Sequence, residues 1–372
     1  MSPARKVPAA ARRGRSAAAR RGVDWEGRIS RLDREGMGAR IESTPAMLRA
    51  GVDLATPVLR RIEPLKPRWL VLMGMGGSAM AGDLLRVWAD REGTAPIHVC
   101  RHYEPPAWLT PEDFLVFSSY SGETEETLAA HAACRSLGGR ACVLASGGTL
   151  ATRARKEGTP WIALPGGHPP RAALGYSFAA LASLAEHLGL VERASAQIQA
   201  ASLELEGAAI AWGRGVVESR NPAKRLAIRL KNRAVVLIAN ARTMEPVALR
   251  WKGQLNENAK HLAWVSPLPE MNHNEVDSYR NPKGHAARLS AVLLTDPADH
   301  PRVAKRFDWV GGYLRRQGVD SERVSGNGPD PLSRMLSAVL LGDFVSYYLA
   351  LLHDVDPSAL PGVTLLKRFL AS

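Results

Sequence analysis

Residues 118–124, Ser-Ser-Tyr-Ser-Gly-Glu-Thr, carry the hydroxyls of Ser119, Ser121 and Thr124 at S-x-S-x-x-T spacing around one glycine. They follow the apolar run Phe114–Phe117 and precede a helical pattern, so the hydroxyls straddle a helix N-terminus. Neutral hydroxyl donors beside unpaired backbone amides suit a phosphate monoester dianion. A capping box, with Ser121 paired to a first-turn carboxylate, would explain one serine but not the cluster. A second loop, Gly74-Met75-Gly76-Gly77-Ser78, also lies between a strand-like run and a helical one. Its glycines let a ligand approach the backbone and leave amides at a helix start; the plain alternative is a tight turn. Gly74, Gly76 and Ala79 also satisfy the dinucleotide pattern GxGxx(G/A), which calls for an acid after the next strand to hold a ribose. That strand instead runs into Cys100, Arg101 and His102, with the first acid at Glu104. A nicotinamide cofactor is therefore disfavoured, although Arg101 keeps NADP formally open.

The elements that must hold these loops are legible from hydropathy. Trp69–Met73, Ile97–Cys100, Phe114–Ser118, Cys142–Ala145 and Trp161–Leu164 read as strands. Between and after them, Ala79–Asp90, Glu123–Leu137, Thr149–Glu157 and Ala172–Leu188 read as helices. Such alternation implies βαβ units and a parallel sheet. It lapses over the long helical stretch Ala194–Glu218 and resumes with strands Ala234–Ala239, Leu262–Val265, Leu289–Leu294 and Val319–Val324. Helices are expected at Glu245–Asn258, Val303–Gln317 and Leu332–Leu352. The reading is α/β, with two doubly wound parallel-sheet sandwiches. They would comprise residues 23–192, with a leading helical segment, and 221–372, joined by a helix over 193–220.

Composition narrows the function classes. Of the net charge of +13, seven basic residues fall in positions 1–22, leaving +6 for the other 350 residues. That remainder suits small anions better than nucleic acid, since no basic run in it is interleaved with aromatics. The first 22 residues lack the apolar core of a secretory signal and read as a disordered basic tail, with some resemblance to a transit peptide. Three cysteines without metal-ligand spacing argue against a disulfide framework or a structural zinc and for a cytoplasmic chain. Met335–Leu352 is almost wholly apolar, but Asp343 at its centre favours a buried core helix over a membrane span.

The second half sharpens this. Trp251–Lys260 contains N-E-N-A-K (256–260), then comes Pro269-Glu270-Met271-Asn272-His273-Asn274, while Pro170–Leu174 reads P-R-A-A-L. With both loops in order, residues 70–370 resemble the bifunctional phosphoglucose/phosphomannose isomerases, whose domains are of the sugar-isomerase (SIS) type. The resemblance implies interconversion of glucose 6-phosphate and fructose 6-phosphate, and of mannose 6-phosphate, in glycolysis and gluconeogenesis. It needs no cofactor or metal. Gly76, Gly77, Ser78, Ser119, Ser121 and Thr124 would hold the hexose phosphate. Glu257 would be the base moving a proton between C1 and C2, Arg171 would stabilise the enediolate, and Lys367 would lie near the ring oxygen. His273 would assist ring opening from the neighbouring subunit, which implies a homodimer.

The chemistry fits the residue types: a carboxylate can carry a proton between adjacent carbons, a guanidinium stays charged opposite an oxyanion, and an imidazole titrates near neutrality. On spacing alone, Glu257 and Lys260 would make a surface ion pair. Two positions depart from the family. Leu360 replaces a threonine associated with accepting both C2 epimers, and a lost hydrogen bond is worth about 0.5–1.5 kcal/mol. Glu123 stands where asparagine is common, and its carboxylate must point away from a phosphate. Competing readings are a non-catalytic sugar-phosphate sensor, which needs only the hydroxyl loop, and an NADP-dependent oxidoreductase.

Overall fold

In the computed structural model, residues 22–92 and 96–370 are described; the basic tail anticipated over 1–22 lies outside them but for its last residue. Three helices come first, α1 (Trp25–Leu32), α2 (Met37–Glu42) and α3 (Thr44–Leu59). The first alternating series follows: β1 (Leu70–Gly74), α4 (Gly76–Glu92), β2 (Ile97–Cys100), β3 (Phe114–Ser118), α5 (Glu125–Cys134), β4 (Arg140–Ala145), α6 (Gly148–Glu157), β5 (Trp161–Ala163) and α7 (Leu174–His187). After α8 (Ala194–Trp212) and α9 (Pro222–Leu230) comes the second series: β6 (Ala234–Asn240), α10 (Glu245–Asn258), β7 (Ala263–Leu268), α11 (Met271–Asn274), β8 (Leu289–Thr295), α12 (Pro301–Arg316), β9 (Asp320–Ser325), α13 (Pro331–Leu352) and α14 (Pro361–Leu370). The long helical stretch expected to Glu218 stops at Trp212, and α9 and α14 were not anticipated.

Both sheets are parallel, in order β2-β1-β3-β4-β5 and β7-β6-β8-β9. In each, the chain steps to one side of its first strand and then crosses to the other. This leaves a crevice at the carboxyl ends where the winding reverses. The strands are apolar throughout because both faces are covered. Leu70 and Leu72 of β1, and Val235 and Leu237 of β6, enter one continuous core that spans both halves. Their alternating neighbours Val71 and Met73 pack under α5 and α6, and Val236 and Ile238 under α12. Helix α13 is long and apolar enough to cross a membrane by length and composition, and most of its side chains are buried inside the protein. Because the shared core joins the two sheets, α4 of the first half and α10 of the second pack together. The candidate cleft lies between them.

Candidate active site

The hydroxyl loop is folded on itself. Ser119, fully buried, accepts hydrogen bonds at Oγ from the amides of Gly122 (3.1 Å) and Thr124 (3.4 Å) and lies 2.8 Å from Thr124 Oγ1. Ser121 is exposed, and its Oγ accepts from Glu123 N at 3.2 Å. Gly122 has φ +74°, and a Cβ there would lie 1.9 Å from Gly147 O, so this turn admits only glycine. Ser78 joins the two loops by accepting the Tyr120 amide at 3.1 Å. The alternative of a capping box at Ser121 does not form: Thr124, not Ser121, precedes α5, which starts at Glu125 and not at the expected Glu123. The reason is Glu123 itself. Its carboxylate accepts from Thr149 N (2.6 Å) and Thr149 Oγ1 (2.9 Å) at the start of α6, and so turns away from the loop.

Beside this loop pair opens a cleft of about 360 Å³, lined by Gly76, Gly77 and Met80 of α4, Arg101, Arg171, and Arg250, Lys252, Gln254 and Glu257 of α10. Arg171 sits in a short 3-10 turn, Pro170–Ala173, and is almost completely buried. The absence of a side chain at Gly77 lets that turn approach, since a Cβ there would lie 3.2 Å from Arg171 Cα. Arg171 donates from Nε to Asn258 Oδ1 (2.7 Å) and from Nη2 to the carbonyls of Pro357 (2.7 Å) and Ser358 (2.9 Å). Its Nη1 is left 3.5 Å from Glu257 Oε2, whose side chain is 39% exposed at the cleft. Burial is the largest influence on Arg171 and lowers its pKa; Glu257 opposes this and nearby Arg250 adds to it. Lys260 does not pair with Glu257. Its ammonium donates to the carbonyls of Asn258 and Asp356, and burial and then Arg171 lower its pKa.

A second buried arginine completes the support. Arg250 makes a two-pronged bond to Asp343 (3.0 and 2.8 Å) and donates to the carbonyl of Arg171 (2.6 Å). Burial raises the Asp343 pKa and Arg250 opposes that rise. Asn258, which orients Arg171, in turn donates to Ser346 Oγ at 2.9 Å.

Comparison with known proteins decides the family. The family described as the bacterial phospho-glucose isomerase C-terminal SIS domain matches residues 219–370. A bifunctional phosphoglucose/phosphomannose isomerase from Caldicellulosiruptor bescii is 37% identical over 81% of this chain and 89% of its own length. One from Aquifex aeolicus is 33% identical over 81% and 90%. The chain belongs to the bifunctional phosphoglucose/phosphomannose isomerase family. A solved hypothetical protein from Thermus thermophilus shares the fold, with a TM-score of 0.69 and 18% identity over 93% of this chain and 92% of that one.

Within this family fold, the residues singled out from sequence do not all converge. Gly76, Gly77, Arg171 and Glu257 share the cleft, and Ser78 is tied to the adjoining hydroxyl loop. His273, on α11, is exposed and does not line that cleft. Lys367, on α14, is likewise exposed. Sequence reasoning missed Arg250, Asn258, Asp343 and Ser346. A signal existed for two of them: Arg250, Gln254 and Glu257 recur at i, i+4 and i+7 on one helix face, and an acid inside an apolar helix needs a cation.

Proposed function

We propose that the chain interconverts glucose 6-phosphate and fructose 6-phosphate, and mannose 6-phosphate with them, by aldose–ketose isomerisation through a cis-enediolate. The observation that carries this reading is the pairing of a partly open carboxylate, Glu257, with a buried guanidinium, Arg171, 3.5 Å away at a cleft edged by Gly76 and Gly77. With the ring open, Glu257 removes the proton from the carbon next to the carbonyl and returns it to the other carbon. Arg171 meets the negative charge that appears on oxygen meanwhile, where low local polarity strengthens the interaction. The hydroxyls of Ser121 and Thr124 and the amides around Gly76 and Gly77 receive the phosphate at the far end. A sensor would use the hydroxyl loop but has no use for this acid–cation pair.

The working unit in this reading is a homodimer in the cytoplasm, with His273 supplied to the partner's cleft. Support comes from α14, all of whose residues are exposed. Val363, Leu366 and Leu370 form an apolar stripe beside Leu365, opposite Thr364, Lys367 and Arg368. A ten-residue helix with its stripe in water is marginal by itself. Because α14 starts three residues after Ser358, whose carbonyl holds Arg171, a second copy that covers the stripe also borders the cleft.

The test is fructose 6-phosphate turnover followed by glucose 6-phosphate formation, with mannose 6-phosphate assayed in parallel because of Leu360. Glu257→Gln should lower kcat by about 10²–10⁴-fold with binding retained. Binding without turnover in the unaltered protein would favour the sensor, and full activity in Glu257→Gln would remove the base assignment.

A further inference from the structure

Tyr120 lies between two phosphate-loop serines, yet no sequence argument gave it a role. Its backbone is pinned at both ends. The amide donates to Ser78 Oγ at 3.1 Å, and the carbonyl accepts from Ser146 N (2.8 Å) and Ser146 Oγ (2.6 Å). The ring is buried, and the phenol reaches across to the segment that leads into Arg171. There it donates to Pro165 O at 2.6 Å and accepts from His168 N at 3.0 Å. That segment, Pro165-Gly-Gly-His-Pro-Pro170, has three prolines without an amide hydrogen and two glycines without a side chain. It has little means of fixing itself. Its other side-chain tether is Arg40, which donates from Nη1 to Gly167 O at 2.6 Å. A hydroxyl can donate to a carbonyl and accept from an amide through one atom. Burial raises the Tyr120 pKa, so the phenol remains a donor across the neutral range.

We propose that Tyr120 is a positioning residue that ties the phosphate-gripping loop to the turn carrying Arg171, so that occupation of the phosphate end sets the guanidinium opposite the reacting carbons. The inference rests on the isomerase reading and adds the route by which the non-reacting end of the substrate contributes to turnover. Such use of remote binding appears in kcat and leaves KM largely untouched. Two members of the route are local: Ser119 closes the loop around Thr124, and Gly77 packs closely on the backbone of Arg171.

The experiment is Tyr120→Phe in the full chain, assayed for fructose 6-phosphate turnover and for inhibition by inorganic phosphate. The expected result is a fall in kcat of about tenfold, with KM and the phosphate inhibition constant changed by less than about twofold. In an Arg171→Lys background, Tyr120→Phe should lower kcat by less than about twofold further, because the two changes interrupt one route. Unchanged kcat, multiplicative losses, or a rise in the phosphate constant parallel to the kcat loss would each overturn the coupling alone. Wild-type turnover in Arg171→Lys by itself would overturn the role of Arg171, and this proposal with it. Should Tyr120→Phe not fold, Arg40→Ala cuts the other tether on the same segment, and the same split between kcat and the phosphate constant decides.

Discussion

The molecule contains the same winding twice, and the two crevices it creates have opposite contents. In the first sheet the loops after β1 and β3 carry glycines and hydroxyls, and the nearby acid, Glu123, is drawn off to cap α6. In the second sheet the loops after β6 and β8 are closed by the protein's own carboxylates. Asp299 accepts from Asn240 Nδ2 (2.6 Å), Thr243 Oγ1 (3.0 Å) and Asp296 N (2.9 Å), while Asp296 pairs with Arg334 at 3.1 Å. Amide and hydroxyl donors converge in both places. A tethered carboxylate occupies one set; in the reading proposed above, the other receives the substrate's phosphate dianion. On that reading the winding offers a place for an anion, and side-chain choice decides whether that anion is a ligand or part of the chain.

Among changes that test this comparison, the largest expected effect lies in the first crevice. The double change Ser121→Ala, Thr124→Val should raise KM for fructose 6-phosphate about tenfold or more, since a hydrogen bond to a charged group is worth about 1.5–3 kcal/mol. An unchanged KM would mean that the hydroxyls do not meet the phosphate. The converse experiment is Asp299→Ala. It leaves three donors without their acceptor and should cost about 1–3 kcal/mol, read as a lower urea midpoint, with kcat/KM unaltered. A loss of activity without a loss of stability would show that the second crevice also works on substrate.

The smallest effect concerns acid. In the second half, His353 lies 3.1 Å from His261 Nδ1, whose Nε2 is 2.6 Å from Arg233 O. With Nε2 donating to that carbonyl, Nδ1 of a neutral His261 is the acceptor and His353 Nε2 the donor. Burial lowers both pKa values, with His261 and Lys231 lowering His353 further and the Arg233 carbonyl opposing the shift in His261. A lowered folded-state value means that the unfolded chain binds protons first. This contribution to stability is complete above about pH 6.5 and is lost as pH falls below it. His353→Gln keeps a donor that does not titrate, so its melting temperature should fall less between pH 7 and pH 5 than that of the unaltered protein. Parallel pH curves would exclude the pair as a source of acid sensitivity.

How much of this was legible in the sequence depended on whether the signal was local. Strand positions, parallel sheets and the two glycine- and hydroxyl-bearing loops follow from apolar runs punctuated by glycine and serine, and these are properties of neighbouring residues. The helix start at Glu123 was misjudged because the competing partner, Thr149, lies 26 residues away and belongs to the next helix. Helix α14 escaped notice because Pro361-Gly362 punctuates its start and only its stripe identifies it.

By itself the sequence determined the doubly wound class, the hydroxyl-and-glycine chemistry of the first crevice, and the presence of a guanidinium, a carboxylate and an imidazole in that order along the chain. Tertiary structure alone decided which of them meet. Arg171 finds Glu257 and not solvent because one core joins the two sheets and holds α4 against α10, and because Asn258 and two carbonyls from residues 357–358 aim its guanidinium. Spacing along the chain constrains groups on one element. Distances between elements are set by packing, which no single segment encodes.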